Sequence, residues 1–175
     1  MLKKDKTMKL IAILIVMVMS MCALSGCGNN QNGKEEKNKE SAEDAAIELP
    51  IKNLVEGLLE TNSEKFISAF PPFYSGSLAD LFNKEALKTA LDTSTEEYGE
   101  NLKMTYEITN KTQIEESKIE EMEKEVKESY NQDVDITKGY ELEVKITTKG
   151  DKAEDTETDA FEIYQIDGNY YLLNI

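Results

Sequence analysis

The chain has no histidine and no tryptophan, and all twenty of its basic residues are lysine, so arginine is missing as well. Without histidine there is no imidazole general base, no Ser-His-Asp or Cys-His arrangement and no histidine-ligated zinc. Without arginine there is no bidentate guanidinium clamp for phosphate. We read lysine in every basic position as mutational bias and not as a functional signal. Cysteine is scarce too: Cys22 and Cys27 are the only two in 175 residues. The formal net charge is -15, and it deepens to -18 once the four lysines and one aspartate of residues 1–26 are set aside. A polyanion of that size is a poor partner for nucleic acid or for the surface of an anionic membrane.

What the chain does have begins with a composition boundary. Lys3, Lys4, Lys6 and Lys9 stand against the single Asp5, and "LIAILIVMVMSMCAL", residues 10 to 24, comes next without a charge. A basic segment leading into an apolar one is the layout of a secretory signal. As a helix those residues reach roughly 22 Å, short of the ~30 Å hydrocarbon core, so a permanent span is disfavoured. Met8 offers an alternative start that shortens the leader and leaves the mature chain unchanged. The apolar run ends in Leu24-Ser25-Gly26-Cys27, a leucine, two small residues and a cysteine. This tetrad resembles the lipobox of bacterial lipoproteins.

The resemblance implies a diacylglyceryl group on the sulfur of Cys27 and cleavage between Gly26 and Cys27. Two acyl chains anchor a protein stably where one holds it only marginally. Cys22 would leave with the leader, so the mature chain has no internal disulfide. The competing reading, a Cys22–Cys27 disulfide or metal site, needs the apolar run retained and, for a metal, two further ligands. Residues 27–44 are then expected as the lipidated cysteine and a flexible polar tether, because "GNNQNGKEEKNKESAED" has no large apolar side chain with which to fold.

Residues 45–175 are enough for one core. Ile51, Leu54, Val55, Leu58 and Leu59 fall at helical spacing, with Pro50 in the first turn or at a kink in a longer helix starting near Ser41. Asn62 or Ser63 can cap a second helix that buries Phe66, Ile67 and Phe70 and stops at Pro71-Pro72. A third helical stretch runs from Ser77 to Tyr98 with a break near Asn83. The period then changes to two: Leu102, Met104, Tyr106 and Ile108 alternate with polar residues, as in a half-buried strand. A helix over Ser117–Tyr130 carries Ile119, Met122, Val126 and Tyr130 on one stripe and almost only Glu and Lys elsewhere, a solvated face. Tyr140, Leu142, Val144 and Ile146 mark another strand. A polar connection leads to Phe161, Ile163 and Gln165, and Asp167-Gly168 makes a tight hairpin turn into "NYYLLNI". Helices at the front and strands at the back predict an α+β fold, with N-terminal helices packed on one face of a curved antiparallel sheet.

"LVEGLLETNSEKFISAFPP" and "FEIYQIDGNYYLL", with this element order, resemble the nuclear-transport-factor-two-like (cystatin-like) fold of small bacterial lipoproteins, although Tyr170 and Tyr171 stand where that family usually has tryptophan. The resemblance implies a conical pocket between helices and sheet. In relatives that pocket binds apolar ligands, hosts acid-base chemistry or is filled. Catalysis there would use a carboxylate base and a tyrosine donor, but no spacing singles out any pair, and Tyr106, Tyr140 and Tyr164 read as core or sheet-surface residues. Phe66, Phe70, Phe82 and Phe161 are candidates to plug the pocket. "GDKAEDTETD" gathers Asp151, Glu154, Asp155, Glu157 and Asp159, oxygen donors of the kind calcium takes. It lacks the ordered spacing of a calcium loop and reads as a solvated hairpin connection.

The sequence therefore predicts a non-catalytic binding or interaction module without cofactor or metal, lipid-anchored on the extracytoplasmic face of the cell membrane. Its partners would be the membrane through Cys27 and a small ligand or protein. Nucleic acid is not among them, and a monomer or weak dimer is expected. The alternative is an acid-base pocket enzyme.

Overall fold

A computed structural model describes residues 36–173 of the chain. Helix α1, Glu36–Leu59, is followed by the short α2, Ser63–Ile67, a 3-10 turn at Pro72–Tyr74, α3, Ser75–Leu81, and α4, Lys84–Tyr98. Strand β1, Lys103–Gln113, then leads to α5, Glu116–Tyr130, and to the meander β2, Ile136–Lys149, β3, Glu154–Ile166, and β4, Asn169–Leu172. The four strands form one open antiparallel sheet in the order β1-β2-β3-β4. The fold is α+β, with N-terminal helices against an antiparallel sheet.

Helix α1 forms because Ile47, Ile51 and Val55 recur every four residues on one stripe, and all three are buried. Burying an isoleucine side chain is worth about 2 kcal/mol, and here Ile47 and Ile51 meet Leu142, Val144, Phe161 and Ile163 of the sheet. Pro50 lies inside the helix and not in its first turn. The helix starts ahead of position 45, so residues 36–44, expected as the end of a flexible tether, are helical. Thr61, at φ 48°, reverses the chain, and the Asn62 N–H donates to the Gly57 carbonyl at 2.8 Å. The Asn62 side chain then caps α2 by accepting from the Lys65 N–H at 3.1 Å. The stretch from Ser77 to Tyr98 is two helices, separated at the break expected near Asn83. Asn83 divides it and caps α4 by accepting from the Ala86 N–H at 3.0 Å.

Both strands of the central hairpin run further than their apolar alternation. The expected polar connection between them is largely strand: β2 and β3 stay paired out to Lys149 and Glu154, leaving only residues 150–153 to turn. Thr147, Thr148, Thr156 and Thr158 supply the β-branched side chains that favour this extension. The C-terminal end of α4 holds the tip, with the Lys152 N–H donating to the Tyr98 carbonyl at 2.8 Å. The Asp167-Gly168 turn has positive φ at both residues, 52° and 80°, as a two-residue hairpin requires.

The helices do not all share one face, as the sequence suggested. Side chains of one parity, Tyr140, Leu142, Val144, Phe161 and Ile163, point at α1. Those of the other parity at one end of the sheet, Tyr164, Ile166 and Tyr171, pack with Val126, Met122 and Tyr130 of α5 and with Tyr74. Helix α5 ends at Asn131, which adopts the left-handed conformation.

Close approach of α1 and α2 leaves no room at their crossing. A Cβ on Gly57 would fall 2.5 Å from the Phe66 nitrogen and 2.7 Å from its Cα, backbone atoms that cannot step aside. Gly57→Ala is therefore expected to lower the unfolding free energy by about 2 kcal/mol despite alanine's better helix propensity. Urea denaturation checks it, and a neutral or stabilised variant contradicts this packing.

Candidate functional site

A convergence of polar side chains lies where the apolar stripe of α1 runs out. Glu43 precedes Ile47 and Ile51 by one and two turns, so it occupies the next place on the same stripe, at the rim of the core. Strand alternation sets Lys138 and Tyr140 of β2 on the face that α1 covers, and pairing of β4 with β3 brings Tyr170 beside them. All three donate to one oxygen, Glu43 Oε1. Lys138 Nζ is at 2.6 Å, the Tyr170 hydroxyl at 2.8 Å and the Tyr140 hydroxyl at 3.3 Å. The two tyrosine rings lie 6.0 Å apart.

Two further acids of α1 extend this row. Asp44 pairs with Lys111, whose Nζ also sits 5.4 Å above the Tyr140 ring. Lys111 reaches this face because β1 carries a bulge between Ile108 and Asn110. One unpaired residue there reverses the alternation and turns the subsequent side chains over. Glu48 accepts a 2.7 Å hydrogen bond from the Tyr106 hydroxyl.

The electrostatics derive from these contacts. The hydrogen bond from Lys138, then that from Tyr170, holds the Glu43 carboxyl below the usual carboxylate range. Burial and the adjacent Glu43 push the Tyr170 and Tyr140 hydroxyls up, and burial and Glu48 do the same to Tyr106. A general base at neutral pH is helped by a raised carboxyl pKa. Glu43 is displaced in the opposite direction, and three donors already occupy its charge. The arrangement can hold α1 to the sheet and is poorly suited to taking a proton.

Other candidate residues are dispersed. Of the carboxylates of the acidic stretch, Asp155, Glu157 and Asp159 share one face of β3, Glu154 lies on the other and Asp151 is in the turn before the strand. Asp151 accepts from the Asn101 side chain at 2.9 Å, and Glu154 pairs with Lys149. Among the described residues no group of three or more possible ligands is placed to hold a metal ion. Asp159, paired with Val144 and so on the face towards α1, is buried, and burial raises its pKa above 3.8. Phe66 lies 5.0 Å from Phe82 and 6.2 Å from Phe70, and Phe161 is in the main core. Tyr164 is buried on the opposite face, donating at 2.8 Å to Glu162. The Tyr74 hydroxyl is buried without a hydrogen-bond partner.

Leu24, Ser25, Gly26 and Cys27 lie outside the described residues. Glu43 and Asp44 were missed as site residues because they fall in the stretch read as tether, and Glu48 carried no pattern. The available signal was the i, i+4 continuation from Ile51 and Ile47 back to Glu43. No family model, curated protein or solved structure matches the chain.

Glu43 and Asp159 give opposite pH dependences. Glu43→Gln removes the charge that Lys138 neutralises, and about 1 kcal/mol of stability should be lost at pH 7, a low value because the side chain is a third exposed. Because the native pKa is lowered, this contribution is complete above about 4.5 and disappears as pH falls through the native value. Urea midpoints of wild type and variant should therefore converge in acid. Asp159 has the opposite sign. Its raised native pKa makes stability fall as pH rises from 3.8 through the native value. Asp159→Asn should melt higher than wild type at about pH 7, and the difference should vanish near pH 3.

Proposed function

We propose that the protein is a lipoprotein of the extracytoplasmic face of the cell membrane, anchored through Cys27, whose acidic domain is a non-catalytic binding or interaction module. The observation that carries this reading is the Leu24-Ser25-Gly26-Cys27 tetrad at the end of a charge-free run behind four lysines. Among the described residues no helix is long and apolar enough to cross a membrane. The finer fold assignment, the nuclear-transport-factor-two-like cone, belongs to the same proposal. It is supported by the long α1, the short capped α2 and the closing β2-β3-β4 meander.

Two features favour binding over catalysis. The chain has no histidine, and its carboxylate-tyrosine cluster holds an ionised, three-fold satisfied glutamate. A protein partner suits the domain better than a small apolar ligand, because Phe161 is buried in the core cluster that α1 and the sheet share.

The test is metabolic labelling of the full chain with a fatty-acid analogue, then membrane fractionation. Wild type should incorporate label and sediment with membranes, and Cys27→Ser should do neither. Equal labelling of the two overturns the anchor.

A further inference from the structure

Strand β1 is an edge of the sheet, and among the described residues no strand pairs with its outer side. It is long for an edge, eleven residues, and from Lys103 to Ile108 it is regular, pairing one residue at a time with β2 before the bulge. Such an edge presents unpaired backbone donors and acceptors to a further strand. We propose that β1 pairs antiparallel with β1 of a second copy of this chain, about a two-fold axis at Thr105, joining the two sheets into one of eight strands.

Side-chain chemistry sets the register. A two-fold axis perpendicular to the sheet must pass through a residue position if side chains are to keep to their own face. Centred on Thr105, the pairing sets Lys103 of each copy opposite Glu107 of the other, two opposite-charge pairs. On the other face Met104 meets Tyr106, and Leu102 meets Ile108. Centring on Lys103 opposes two lysines, and centring on Glu107 opposes two glutamates. Centring on Met104 or Tyr106 gives Lys103 and Glu107 only uncharged neighbours opposite.

Two details within one copy agree with this choice. Lys103 lies opposite Lys149 across β2, and Lys149 is already paired with Glu154, so Lys103 has a like charge on its inner side. Glu107 of a second copy, which within its own copy faces Lys145, would set an opposite charge on the outer side of Lys103. Thr105, Thr147 and Thr156 form a row across β1, β2 and β3, with the last two hydroxyls 3.0 Å apart. A two-fold axis at Thr105 continues that row into the second copy without a step. It also keeps both α1 helices on the same face of the joined sheet.

The pairing does not depend on the lipid anchor, so it is tested on full-length protein in detergent carrying Cys27→Ser. Light scattering with detergent subtraction should give a concentration-dependent dimer. Lys103→Glu and Glu107→Lys each place like charges opposite one another and should weaken the dimer ~10-fold or more, as two repulsive cross-strand contacts replace two attractive ones. The double variant reverses both signs and should restore it. Circular dichroism melts report whether each variant still folds. Thr105→Cys, with Cys22→Ser also present, should form an intermolecular disulfide on mild oxidation, and Lys145→Cys, away from the edge, should not. A monomer at all concentrations overturns the proposal. So does a dimer indifferent to the single changes, or one that the double variant fails to rescue. If folding of the charge variants is impaired, the cysteine pair decides: equal cross-linking at positions 105 and 145 overturns the register.

Discussion

The structure depends on the burial of one face of α1 against one face of the sheet. Ile47 and Ile51, on consecutive turns, lie on Leu142, Val144 and Ile163, and this contact joins the front of the chain to its last third. Neither partner can stand alone. A helix in a protein takes most of its stability from packing its apolar face, and a sheet with an uncovered apolar face would associate with anything that covered it. Other placements depend on this docking. Gly57 lets α2 cross closely, α2 brings Phe66 under the helices, and Ala69, buried in the same core, accepts the Leu172 N–H of β4 on its carbonyl at 2.8 Å.

Where the apolar contact ends, a charged one takes over. Glu43, Asp44 and Glu48 on α1 meet Lys138, Tyr140, Tyr170, Lys111 and Tyr106 on the sheet. The tyrosines suit this rim because their rings belong to the core and their hydroxyls reach its edge. Glu43 and Asp44 also lie close to the part of the chain that leads to the proposed anchor. Tension on a membrane tether would reach the domain at this polar row first.

The functional reading is one of surfaces. For an acidic domain without histidine or arginine, proposed as a binding module, faces and edges are the candidate contacts. Strand β1 is the most exposed of these. Its self-complementary charges would make the anchored form two-headed, which doubles the valency toward any partner without a new contact.

Composition and local pattern determined much of this protein. The change of hydrophobic period gave helices before strands, Asn62, Asn83 and Asp167-Gly168 marked their boundaries through short-range hydrogen bonding and backbone freedom, and the proposed lipobox rests on four consecutive residues. Such features are legible because each acts over a turn or less of chain. Other features required the tertiary structure. The acidic segment after Lys149 became strand because a partner strand was there to pair with it, and residues 36–44 became helix in continuation of a docked one. The apolar stripe of α5 was legible, but that it would cover the second face of the sheet was not. The Glu43 cluster joins positions up to 127 residues apart. No local pattern encodes which tyrosine a carboxylate will meet, since that is settled only when the helix docks and the strands take their register.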